Sequence, residues 1–129
     1  MKPIVVYRIQ DKFGRGPFRP GFSQRWLDDE LTQGKTELPS WMEEFGADLI
    51  IKRGRPGEYY GSACRSLEWL DRWFSFSEQQ RLAALGFMTV SLTVTRLLAH
   101  SECQIVFAID HPLNHSIVII PWRFACVSL

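Results

Sequence analysis

Three short stretches of this sequence place charged or hydroxyl-bearing side chains beside glycines or strand ends, where they could do chemistry. The first is Tyr7-Arg8 with the following loop Gly14-Arg15-Gly16-Pro17-Phe18-Arg19-Pro20-Gly21. Glycines let backbone N–H groups come close to an anion, and Arg8, Arg15 and Arg19 can grip phosphate oxygens through bidentate hydrogen bonds. The plainer reading is a solvated loop folded around Phe13, Phe18 and Phe22. The second is Gly57-Glu58-Tyr59-Tyr60-Gly61-Ser62-Ala63, where strand alternation puts Tyr60 and Ser62 on one face, a ring for stacking beside a hydroxyl for orientation. Ordinary packing of a half-buried strand also produces such alternation. The third is His100-Ser101-Glu102-Cys103-Gln104-Ile105-Val106-Phe107, a polar lead into an apolar strand. On a continuous strand Glu102 and Gln104 share a face and point into one cleft, and the competing explanation is solvation of a sheet edge.

Other chemistries find less support. His100, His111 and His115 fall in turns, with no His and carboxylate paired at helical ligand spacing, so no metal site is expected. There is no GxSxG elbow, no Walker loop and no GxGxxG fingerprint. Pro17 removes an N–H from the one loop that comes near the last of these. Nucleic acid is a weaker alternative, through Arg15, Arg19, Arg25 and the basic turn Lys52 to Arg55, and Asp28-Asp29-Glu30 and Glu43-Glu44 dilute that patch.

The elements that must hold these residues can be read from punctuation and periodicity. Ile4 to Gln10 is β-branched and apolar and leads into Asp11 to Phe22, which glycines and prolines keep from forming a helix. Ser23 is a candidate N-cap for Gln24 to Leu31, closed by Gly34, and Pro39-Ser40 opens a short helix from Trp41 to Phe45, closed by Gly46. A short strand is expected at Asp48 to Ile51, a turn at Lys52 to Gly57, and an extended segment at Glu58 to Cys64. Ser66 caps Leu67 to Phe74, and Ser77 with Gln80 resembles a capping box ahead of Leu82, Leu85 and a stop at Gly86. Strands follow at Phe87 to Thr95, Gln104 to Ile109 and Ser116 to Trp122. The result is a single α+β domain over residues 1–129, with a mixed or mostly antiparallel sheet and short helices.

Composition agrees with one folded domain. The 129 residues are 46% hydrophobic and 13% aromatic, enough to build one core and too few for two. Fifteen basic against fourteen acidic residues give a net charge of +1, so no global field recruits a polyanion or an anionic membrane. The longest apolar runs fall short of the ~20 residues that cross a bilayer. The N-terminus lacks the pattern of a signal peptide, and the cytoplasm is the expected location, with no membrane partner. Cys64, Cys103 and Cys126 are an odd set without CxxC spacing, expected as buried thiols.

In their order, the three polar stretches resemble the ADP-ribosyltransferase fold family. Tyr7-Arg8 looks like its first-strand Arg motif, Gly57 to Ser62 like its aromatic and Ser strand leading into a helix, and Glu102 to Phe107 like its late strand headed by Glu. The resemblance implies an ADP-ribosyltransferase-like fold binding NAD or an ADP-ribose compound, with transfer of ADP-ribose to a macromolecular target. It implies that Arg8 holds diphosphate or ribose and that Tyr60 or Ser62 orients nicotinamide. Tyr7, Arg15 and Arg19 are the accompanying cofactor-binding candidates. The family's carboxylate position falls on Gln104, which can bind a hydroxyl but offers no negative charge. Either Glu102 substitutes from the same face, or the reaction is lost or changed. The alternative function, from a different class, is a non-catalytic interaction protein of the phage or mobile-element type that binds and blocks a host protein.

Overall fold

The computed structural model describes residues 2–18, 25–26 and 40–123. Its strands are β1 (Ile4–Gln10), β2 (Tyr59–Ala63), β3 (Met88–Val94), β4 (Arg96–His100), β5 (Ile105–Ile109) and β6 (Val118–Ile120). Its helices are α1 (Trp41–Phe45), α2 (Leu49–Arg53), α3 (Leu67–Trp73) and α4 (Phe76–Ala84). The protein is α+β, with short helices and two antiparallel three-stranded sheets, ordered β1-β3-β6 and β2-β5-β4.

Strand alternation explains how the sheets stack. Val6 on β1 and Val90, Leu92 and Val94 on β3 point inward to meet Ala63 of β2 and Ile105, Phe107 and Ile109 of β5. The opposite face of the first sheet carries Tyr7 and Ile9 and packs against Leu70 and Trp73 of α3 and Leu82 of α4. The opposite face of the second sheet, with Tyr60, Val106, Ala108 and Leu98, is covered by Trp41 and Phe45 of α1 and Leu49 of α2. The layers therefore run helix pair, sheet, sheet, helix pair. β5 is buried at all five positions because it lies central in its sheet with a layer on each side.

Between the sheets the backbone makes one isolated pairing among the described residues, in which Tyr7 and Cys64 exchange two hydrogen bonds of 2.8 Å. Tyr7 lies in β1 of the first sheet and Cys64 directly follows β2 of the second, so the two strands meet there.

Several expected elements stand as read, including β1, the extended segment at β2, the Ser66-capped helix and the strand at β3. So does the helix Trp41–Phe45, in which the Ser40 hydroxyl accepts from Glu43 N at 3.2 Å and Gly46, at φ 99°, ends the run. Three readings are corrected. Asp48 to Ile51 is not a strand, since Leu49–Arg53 is helical and buries Leu49 against β4 and β5. The capping box is Ser75 with Glu78, each bonding the other's backbone N–H, and not Ser77 with Gln80. β4 was not anticipated as a strand; it pairs with β5 through a register shift between Leu97 and Ala99. The expected helix Gln24 to Leu31 with its Ser23 cap, Gly34, Cys126 and most of the loop beyond Phe18 lie outside the described residues.

Candidate functional site

Beside the Tyr7–Cys64 pairing a cleft of about 850 Å³ opens against both strands. The loop after β1, α1, α3 and the residue leading into β5 complete its walls. Of the eight residues singled out in the sequence, Tyr7, Arg8, Arg15, Tyr60, Ser62 and Gln104 all line this one cleft. Arg19 lies outside the described residues.

Arg8 is the unusual member. It projects from the inward face of β1 and is only 7% exposed. Its Nη1 donates to the Ser62 carbonyl at 3.1 Å and its Nη2 to the Gly14 carbonyl at 3.2 Å. Its Nε, fully enclosed, has no hydrogen-bond partner among the described residues. A guanidinium has five N–H donors, so much of its capacity is unused. Asp11, whose field acts on Arg8, has both oxygens engaged by the Arg15 side chain and by the Phe13 and Arg15 backbone. Burial therefore dominates: desolvation lowers the Arg8 pKa to about 10, with Asp11 opposing it.

Gly61 makes this placement possible. A Cβ at residue 61 would collide with Arg8 Nη1 and come within 2.8 Å of Phe107 Cζ, so the guanidinium lies against a strand that can carry no side chain there.

The loop after β1 is organised by Asp11. Its Oδ1 accepts from the backbone N–H of Phe13 and Arg15, each at 2.9 Å, and its Oδ2 binds Arg15 Nε at 2.9 Å. Burial raises the Asp11 pKa, but these hydrogen bonds outweigh it and hold the carboxyl below its ordinary value. Arg15 thus faces the cleft already paired, with its guanidinium 4.8 Å from the Phe13 ring centroid. An aromatic wall stands beside this loop: Phe18 packs on Trp26, Trp73 and Phe74, and the Trp73 indole donates to the Cys103 carbonyl at 2.9 Å.

On the β2 side, Tyr60 and Ser62 do share a face, opposite Ala108 and Val106. The Tyr60 hydroxyl is committed to the Arg55 backbone, which fixes the ring at the cleft.

The third stretch departs from expectation. Glu102 and Gln104 do not share a strand face, because β5 begins at Ile105 and Ser101 to Gln104 form a turn closed by a 2.9 Å bond from Ser101 N to the Gln104 carbonyl. Glu102 is exposed on that turn and is not among the residues lining the cleft, whereas Gln104 is buried and lines it. The Gln104 amide donates to Glu44 Oε1 at 2.9 Å, as does the Ser101 hydroxyl at the same distance. Glu44, together with the cleft-lining Trp41 and Trp73, was not picked out from sequence; no local pattern marks it, since its partners lie about sixty residues away.

The expected basic turn is in part helical, since Lys52 and Arg53 close α2. Arg53 donates to the Leu98 carbonyl at 2.7 Å, Lys52 pairs with Asp48, and Arg96 ties Glu58 to the Arg53 carbonyl. Of the thiols, Cys64 is buried and Cys103 partly exposed. Among the described residues no three His, Cys, Asp or Glu side chains gather as a metal site, and no helix is long and apolar enough to cross a membrane.

A family model described as Bacteriophage T4 Y00F protein matches residues 1–118 of the chain. No curated protein and no solved structure matches it.

Proposed function

For a chain that belongs to the bacteriophage T4 Y00F protein family, we propose that the cleft binds NAD or an ADP-ribose compound and transfers ADP-ribose to a macromolecular target. The observation that carries this reading is Arg8, a buried guanidinium facing the cleft with unused donors and no carboxylate of its own. A diphosphate would supply the missing countercharge through charge-assisted hydrogen bonds. The volume suits the ligand class, since small-molecule sites span roughly 300–1,000 Å³ and combine apolar walls with a few polar groups. Tyr7, Tyr60 and Trp73 offer rings for the base and the nicotinamide. Transfer would break the ribose–nicotinamide bond and form a bond from the same ribose carbon to an acceptor nucleophile, with nicotinamide leaving.

Calorimetric titration with NAD and with ADP-ribose is the direct test. Binding that Arg8→Met abolishes supports the reading, and nicotinamide release with labelling of a target supports transfer. No heat and no thermal shift at millimolar ligand removes it.

A second reading is a non-catalytic protein that binds and blocks a host protein. It is favoured by Phe18 and Met42, cleft-lining apolar side chains that are about half exposed. Capture of one bacterial protein at stoichiometric yield, lost on Phe18→Ala with Met42→Ala and unaffected by NAD, would favour this reading over the first.

A further inference from the structure

In the order β2-β5-β4, strand β2 has a sheet neighbour on one side only. Its other side belongs to the cleft, which Tyr60 through Cys64 line without a gap. The N–H and C=O of Cys64 point outward to Tyr7, so by strand alternation those of Ser62 and Tyr60 point the same way, while Ala63, Gly61 and Tyr59 turn theirs to β5. The ladder to β1 stops at that one bridge. Were it continued, Ile9 would stand opposite Ser62. Instead, Arg8 Nη1 donates to the Ser62 carbonyl at 3.1 Å. The Ser62 N–H and both backbone groups of Tyr60 meet no backbone partner among the described residues. An open edge of this kind is a template for a further strand.

Charge and apolar surface narrow what that strand must carry. Arg8 lies beside the open edge, against Gly61, and has only carbonyls for partners. Arg15 is already paired with Asp11, and Glu43 is the one acid lining the cleft among the described residues. Phe18 and Met42 line it as well, each about half exposed.

We propose that the cleft takes an extended segment of a partner protein, which adds as a strand to the free edge of β2 and places an Asp or Glu side chain on Arg8. Main-chain hydrogen bonds to Ser62 and Tyr60 supply affinity without regard to sequence. Selectivity comes from the charge-assisted pair with Arg8 and from apolar side chains set against Phe18 and Met42. This rests on the second reading above and names the part of the partner that is recognised.

The probe is a displayed library of random short peptides, selected on the wild-type protein, with titration of the best peptide found. The selected sequences should share one Asp or Glu among apolar residues. The best peptide should lose at least about tenfold in affinity when its acid is changed to the amide, or when the protein carries Arg8→Met. Methylating its backbone nitrogens one at a time should cost affinity at alternate positions, since only every other N–H of a strand faces the edge it joins. That measurement leaves the protein untouched and decides the matter even where Arg8→Met fails to fold. Peptides selected without an acid, or bound equally by Arg8→Met at unchanged Tm, overturn the proposal. So does a methylation series without alternation. Stoichiometric capture of a host protein with no peptide selected overturns it while leaving the second reading standing. Binding of neither peptide nor host protein removes both.

Discussion

Arg8 sets stability against the binding role proposed for it. Its pKa falls from the ordinary guanidinium value to about 10 in the fold because burial strips the guanidinium of water. The unfolded chain therefore holds this proton more tightly, and keeping the charge at neutral pH costs the fold about 3 kcal/mol. That cost is constant across the neutral range and eases only as the pH rises above 10. Against it stand two hydrogen bonds to backbone carbonyls, worth roughly 1–2 kcal/mol each with a charged donor. The terms nearly cancel, so Arg8→Met should leave Tm within about 4 °C of wild type while removing anion binding. A fall of more than about 8 °C would show that Arg8 is chiefly a structural strut between β1 and β2.

Elements were legible where local chemistry decides them. β-branched alternation marks β1 and β3, and Ser40 and Ser66 mark helix starts by the same hydroxyl-to-backbone bond. They were illegible where tertiary packing decides. A segment as short as Asp48 to Ile51, with three apolar residues, has no periodicity to tell strand from helix, and burial of Leu49 selects helix. β4 carries no β-branched residue and is held by pairing to β5 despite its register shift. The candidate site divides the same way: Arg8, Tyr60 and Ser62 could be placed because they sit on strands, whereas the Glu44–Gln104 contact joins elements that nothing local connects. Two measurements probe the element scale. Ser75→Ala removes the true cap of α4 and should cost about 1 kcal/mol, a drop in Tm of about 4 °C, while Ser77→Ala should cost less than half as much. Equal effects would restore Ser77 as the cap. Gly61→Ala should destabilise by about 1–3 kcal/mol through the contact with Phe107 and weaken anion binding by displacing Arg8. An alanine variant that binds as tightly as wild type would mean that the guanidinium does not depend on this glycine.

At the scale of the whole molecule, two carboxylates link distant parts of the chain to acid stability. Glu58, bonded by the Arg96 side chain, and Asp11, held by Arg15 and Phe13 against the effect of its burial, both lie below their ordinary values of 4.5 and 3.8. Their stabilisation is complete above those values and is lost as the pH falls through the lower folded-state ones. The urea midpoint should drop between pH 7 and pH 3, and Asp11→Asn with Glu58→Gln should shrink that drop. An unchanged drop would place the acid sensitivity elsewhere. The Tyr7–Cys64 pairing has a consequence of its own, because its two reciprocal amides make the backbone hydrogen bonds that join the sheets among the described residues. Separation of the layers must expose both N–H groups at once. In hydrogen–deuterium exchange the Tyr7 and Cys64 amides should share one protection factor, lower than those of β5, and a ligand seated between the strands should slow both by the same ratio. Independent exchange rates at these two amides would mean that the sheets do not part as rigid layers.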